Sequence, residues 1–175
     1  MTATRPSSLH IPLKLAGLIT GLALAAALVA VMRVPHEDGR LGADVRLVAT
    51  APEGITTSAT GAFLSGRHLT SGGEAATGKL PLRNDSRGDA VISFRALAPR
   101  DKLSQVMTVE LSSGGKKIAG GTLAELRSWS GSLRIPRGSQ RTVEASAWIP
   151  GSARQGFEGK TADINLQIRS KVTGR

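Results

Sequence analysis

Residues 163–172 read DINLQIRSKV, and their alternation decides the fold. Ile164, Leu166, Ile168 and Val172 fall on one side, with Ser170 in the remaining position. Asp163, Asn165, Gln167, Arg169 and Lys171 fall on the other. Side chains alternate across a strand, so this pattern gives one buried and one wet face. The period of two recurs upstream. Residues 141–149 place Val143, Ala145, Ala147 and Ile149 inward, and 89–97 do so with Ala90, Ile92, Phe94 and Ala96. Residues 105–112 alternate through Met107, Val109 and Leu111, and shorter strands are expected at 43–49, 78–83, 132–135 and through Ile118.

Turn chemistry separates these runs. Asn84-Asp85-Ser86-Arg87-Gly88 holds residues that make Asx turns or tolerate left-handed backbone, Ser113-Gly114-Gly115 reads as a hairpin turn, and Pro136–Ser139 and Pro150-Gly151 end strands. Many short strands with frequent punctuation predict an all-β, antiparallel sandwich. One helical turn interrupts it: Thr122-Leu123-Ala124-Glu125 has the form of a capping box, with Leu123 and Leu126 facing the core. Trp129 comes next and is expected to close one end of the sandwich. Asn84-Asp85-Ser86 is also a glycosylation sequon by form.

The N-terminal region differs in kind. Residues 15–32, LAGLITGLALAAALVAVM, carry no charge and come after Arg5 and Lys14. That is the layout of an export signal, or of a signal anchor kept in the membrane, and it predicts translocation of the rest of the chain. Residues 33–42 read as a polar linker in which His36, Glu37 and Asp38 are solvated neighbours rather than metal ligands. The domain plan is therefore 1–32 signal or anchor helix, 33–42 linker and 43–175 sandwich.

The 175-residue chain has a formal net charge of +10, no cysteine, three histidines, no tyrosine and 3% aromatic residues. Thiol catalysis, thiolate metal sites and disulfide scaffolds are excluded, and base-stacking platforms are disfavoured. The basic residues are scattered along the strands, with no nucleic-acid-binding motif. They predict attraction to anionic polymers outside the cell, with Arg134, Arg137, Arg141, Arg169 and Lys171 as candidate contacts. No Gly-x-Ser-x-Gly or His-Glu-x-x-His occurs. His68 is the only histidine of the sandwich and reads as an exposed loop residue, and Asp85 with Asp89 reads as a solvated turn rather than a glycosidase pair. Neither a catalytic centre nor a cofactor is expected.

The segments also have a familiar order. TGKLPLRNDSRGDAVISFRAL (77–97), LSQVMTVEL (103–111), GGKKIAGGTLAELRSW (114–129), LRIPRGSQRTVEASAWIP (133–150) and GFEGKTADINLQI (156–168) together resemble the TasA/camelysin family. The chain departs from that family at Thr70–Glu74, where a Pro-Gly-Asp turn is usual. The resemblance implies a jelly-roll-like sandwich, secreted and working at the cell surface or in the extracellular matrix. It further implies polymerisation with other copies of the chain, in which a strand near the start of one subunit completes the sheet of the next. The matching donor here is ADVRLVA (43–49), with Val45, Leu47 and Ala49 on its apolar side. On that reading a charge at Val45 or Leu47 stops assembly and spares the monomer. A second reading is a monomer tethered through residues 15–32 that binds anionic wall polymers, and a third, less favoured one is a secreted hydrolase, a protease or glycosidase.

Overall fold

A computed structural model describes residues 42–173 of the chain. The expected segments at 1–32 and 33–41 lie outside the described residues. Ten strands and one α-helix come in the order β1 (Ala43–Thr50), β2 (Ile55–Thr57), β3 (Ala62–Leu69), β4 (Ala76–Asn84), β5 (Asp89–Leu97), α1 (Lys102–Val106), β6 (Thr108–Ser113), β7 (Lys116–Thr122), β8 (Ser130–Ile135), β9 (Gln140–Trp148) and β10 (Thr161–Thr173). They form two five-stranded sheets. Sheet A has the order β3-β1-β10-β5-β8, and sheet B the order β2-β4-β9-β6-β7. Apart from the β6–β7 hairpin, successive strands alternate between the sheets, which gives the all-β, jelly-roll-like sandwich that the sequence predicts.

The core obeys the alternation. Ile164, Leu166 and Ile168 of β10 meet Ile92 and Phe94 of β5 in sheet A, while sheet B supplies Leu80, Leu82, Val109, Leu111 and Val143. Short alanines on β9, Ala145 and Ala147, keep the two layers close. Burying each large aliphatic side chain contributes about 1.5–3 kcal/mol, and this shared apolar layer makes a cysteine-free domain stable.

Several details depart from the alternation. β10 outlasts its pairing with β1, which ends at Gln167, and Val172 is exposed rather than inward although Ala90 opposite it on β5 is buried. Residues 102–106 form α1, capped by Asp101 accepting from the Ser104 amide, and β6 begins only at Thr108. The capping box forms as expected: the Glu125 N–H donates to Thr122 Oγ1 at 3.2 Å, and the Thr122 N–H donates to Glu125 Oε2 at 2.7 Å. The turn it starts is a single 3-10 turn, Glu125–Arg127, with Leu123 and Leu126 buried beneath it. The pairing is antiparallel except for β1 with β10, the one parallel ladder among the described strands.

Asn84 joins the two sheets at one corner. It ends β4 in sheet B and is fully buried. Its Nδ2 donates to the carbonyls of Gly88 (2.9 Å) and Ile135 (2.8 Å), the latter at the end of β8 in sheet A. Its Oδ1 accepts from the backbone N–H and the hydroxyl of Ser86, at 3.0 and 2.6 Å. The side chain has no free valence and no exposure, so the sequon serves as a structural turn in the folded domain. Replacing Asn84 with Ala leaves the buried Ile135 carbonyl without this donor and frees the half-buried Ser86 amide, while the Gly88 carbonyl keeps its bond from Ser86 Oγ; we expect a loss of about 1–3 kcal/mol, read from urea unfolding midpoints.

Candidate functional site

Two features of sheet A bear on function: the seat of β1 and the outer face over β10, β5 and β8. β1 lies in the middle of the sheet. It pairs in parallel with β10, Val45 opposite Ala162 and Leu47 opposite Ile164, and antiparallel with β3, Leu47 opposite Leu64 and Arg46 opposite Ser65. Ala43, Val45 and Leu47 are buried in the domain's own core, and Ala49 is half-buried at its margin. Both hydrogen-bonding edges of the strand are thus occupied within one chain.

The start of β1 is tightly fitted. The Asp44 N–H donates to the Lys160 carbonyl at 2.9 Å, and the His68 N–H donates to Asp44 Oδ1 at 2.9 Å. His68 belongs to β3 rather than to a loop. Its φ of 55° is left-handed, within a stretch where the β1–β3 register shifts. The bulge brings its backbone against Gly42, where a Cβ would stand 2.5 Å from the His68 carbonyl carbon, so only glycine fits there.

The outer face of sheet A gathers basic side chains. Arg95 on β5 and Arg169 on β10 point away from the core, and both lie over the indole of Trp129, at 4.8 and 4.6 Å from the ring centroid. Trp129 precedes β8, whose Ser130 is opposite Phe94, and that register sets the indole beside Arg95. The residue expected to close one end of the sandwich therefore sits half-buried on its outside. Arg95 Nε also donates to Gln167 Oε1 at 2.7 Å. Lys171 comes two residues after Arg169 on the same face. It is opposite Val91, which is opposite Arg134 on β8. Of the five basic residues singled out in the sequence, Arg134, Arg169 and Lys171 share this face. Arg137 lies in the turn after β8, and Arg141 is exposed near the start of β9 in sheet B. Arg95 and Trp129 complete the cluster. Alternation marks Arg95 as outward, but its neighbours are set by a register that local sequence does not carry.

Asp85 and Asp89 each have partners of their own. Asp85 Oδ2 accepts from Thr56 Oγ1 at 2.6 Å and Oδ1 from Arg83 Nε at 2.8 Å, and these bonds hold its carboxyl below its ordinary range. Asp89 Oδ2 accepts from Arg134 at 2.7 Å and Oδ1 from the Arg137 N–H at 3.1 Å, with the same effect. Both shifts run opposite to the raised pKa a general acid needs. Among the described residues no three His, Asp or Glu side chains gather as a metal site. None of the described helices is long and apolar enough to cross a membrane, and the 15–32 run lies outside them. An open cavity of about 520 Å³ lies between α1 and the 150–157 loop, lined by Lys102, Gln105, Thr108, Arg154 and Phe157. No protein-family model matches the chain, and no curated protein matches it.

Two variants probe this geometry. Because Leu47 is core, Leu47→Asp buries a carboxylate at a cost comparable to the whole stability of a domain, about 5–15 kcal/mol, and should abolish the near-UV circular dichroism of the monomer. This replaces the expectation that a charge there spares the monomer; Val48→Asp, on the outer side of the same strand, should remain folded. The second variant concerns acid. Asp89 has a lowered folded pKa, so its bonds stabilise the domain above the unfolded carboxylate value, about 3.9, and that contribution is lost as pH falls through the folded value. The gap in urea midpoint between wild type and Asp89→Asn should be constant from pH 7 to 5 and shrink toward pH 2.

Proposed function

We propose that this chain is an exported structural protein of the cell surface or extracellular matrix, and that its copies join by strand exchange. The observation that carries the proposal is the seat of β1. The first strand of the sandwich fills a central slot between β3 and β10 and is tied to later strands by one short connection, Ala51–Gly54. If that connection opens, β1 of one copy fits the same slot in the next, and every hydrogen bond and apolar contact of the closed domain is regained. Closed and exchanged forms then differ chiefly in the hinge and in the entropy of joining, so concentration selects between them. Reciprocal exchange closes a dimer, and exchange passed on from copy to copy builds a chain. The segment order resembling the TasA/camelysin family supports this reading, and the uncharged 15–32 run behind Arg5 and Lys14 supports export. The chemistry is strand pairing, with no bond made or broken.

A second reading, an anchored monomer that binds anionic wall polymer, is favoured by the basic outer face of sheet A. The two are compatible, since exchange uses the strand edges and core side of sheet A while the basic side chains lie on its outer side.

Strand exchange is tested by locking β1 against β3. The chain has no cysteine, so Arg46→Cys with Ser65→Cys places one new disulfide between exposed, directly opposed residues of β1 and β3. Oxidised, the variant should stay monomeric at concentrations where wild type assembles, and reductant should restore assembly. Assembly of the oxidised variant at the wild-type rate would rule out exchange of β1. A wild type that stays monomeric in light scattering at all concentrations and at acid pH would rule out assembly itself.

A further inference from the structure

We infer that the outer face of sheet A is a binding site for a linear polymer of phosphodiester-linked polyols, held by Arg95, Arg169 and Lys171 with Trp129 as the scaffold. The inference rests on the second reading above and deepens it, by naming the face and the chemistry of the partner.

The first argument is unneutralised charge. Arg95 and Arg169 come from neighbouring strands and converge on one indole. The ring's negative face attracts each guanidinium but neutralises neither. Like charges repel when brought together, and an anion between them removes that repulsion. Of the carboxylates on the same face, Asp89 is held by Arg134 and the Arg137 N–H, and Asp163 lies opposite Arg46, six residues before Arg169 toward the start of β10. Among the described residues no carboxylate pairs with Arg95, Arg169 or Lys171. The opposite face of the molecule differs: on sheet B, Glu110 pairs with Lys117, and Glu144 stands opposite Lys79.

The second argument is spacing. Arg169 and Lys171 are two residues apart on one face of a strand, about 6.6–6.8 Å. Arg95 is diagonal to Arg169, since their cross-strand partners are Gln167 and Ser93. Arg134, two strands from Lys171, is already paired with Asp89 and stays outside the grid. This grid offers one cation after another to a flexible chain with a charge on every repeat, and guanidinium edges bond phosphate oxygens in pairs.

The third argument selects the class of polyanion. Two guanidiniums lie over the Trp129 ring, and a nucleobase or a sugar ring would have to compete with them for that surface. A polyol phosphate chain needs no stacking surface. Its only strong groups are the phosphates, and those are what the face can hold.

Isothermal titration of the full-length chain in neutral detergent with synthetic poly(glycerol phosphate) tests this. Arg95→Gln with Arg169→Gln should weaken binding at least tenfold and reduce the slope of log K against log salt by about 2. Lys171→Gln alone, an exposed change that leaves the stack intact, should reduce it by about 1. Lys79→Gln with Lys116→Gln, which removes the same charge from sheet B, should leave binding unchanged. Equal losses in the two double variants would mean that net charge alone binds, and would overturn the site. Wild-type binding that none of the variants weakens would overturn it too. Equal or tighter binding of polygalacturonate or single-stranded DNA would overturn the chemical class. If wild type binds none of the three polymers, the anionic-partner reading falls together with the site. Far-UV circular dichroism of the Arg95→Gln/Arg169→Gln variant checks the fold, and the Lys171→Gln slope decides if that variant is unfolded.

Discussion

The buried amide of Asn84 is the constraint on which the geometry of this sandwich rests. Two sheets that share only an apolar layer can slide over one another, because hydrophobic contact has no direction. Asn84 supplies direction. Its side chain reaches from the last residue of β4 to the last carbonyl of β8, and its own backbone bonds the turn before β9 at Ser139 and Gly138. Sheet A, sheet B and the β4–β5 corner are thereby fixed at one point. In a low-dielectric interior such a network is strong when complete and costly when incomplete, so it selects one arrangement. What it fixes includes the start of β5, and with it the position of Asp89 against Arg134 and of Arg95 relative to β8.

The regular strands were legible because one face of each is wet. β5 begins and ends where its alternation does, and β1, β4, β8, β9 and β10 differ from their apolar patterns by one to three residues at the ends. Where the rule was hidden, a local device hid it. β3 does not alternate, since its register against β1 shifts twice, once around Phe63 and once around His68. β2 has three residues, too few for any period. The five-residue α1 was absorbed into a strand because Met107, Val109 and Leu111 alternate just after it, and only the Asp101 cap marks its start. Val172 continues the inward pattern of β10 beyond Gln167, where its pairing with β1 has ended.

The candidate sites were less legible, for a different reason. The apolar side of β1 is written identically whether it fills its own core or another copy's, so alternation identifies a core-facing strand without saying which molecule's core it fills. The basic face is invisible in one dimension. Arg95 and Gln167 stand 72 positions apart yet share a hydrogen bond, and Trp129 reaches both arginines only through the registers of β5 with β8 and with β10. Cross-strand neighbours are set by the whole topology, while the sequence near each residue reports only which side of its own strand it occupies.

The parallel pairing of β1 with β10 carries a mechanical consequence. The chain enters the sandwich at Ala43, beside the start of β10, and β10 leaves at its far end. Tension applied between these two points runs along both strands in opposite senses. The bridging hydrogen bonds then resist in shear, sharing the load, instead of peeling open one after another as a pulled hairpin does. In the closed domain this parallel seam is therefore the element placed to resist a pull between Ala43 and Thr173.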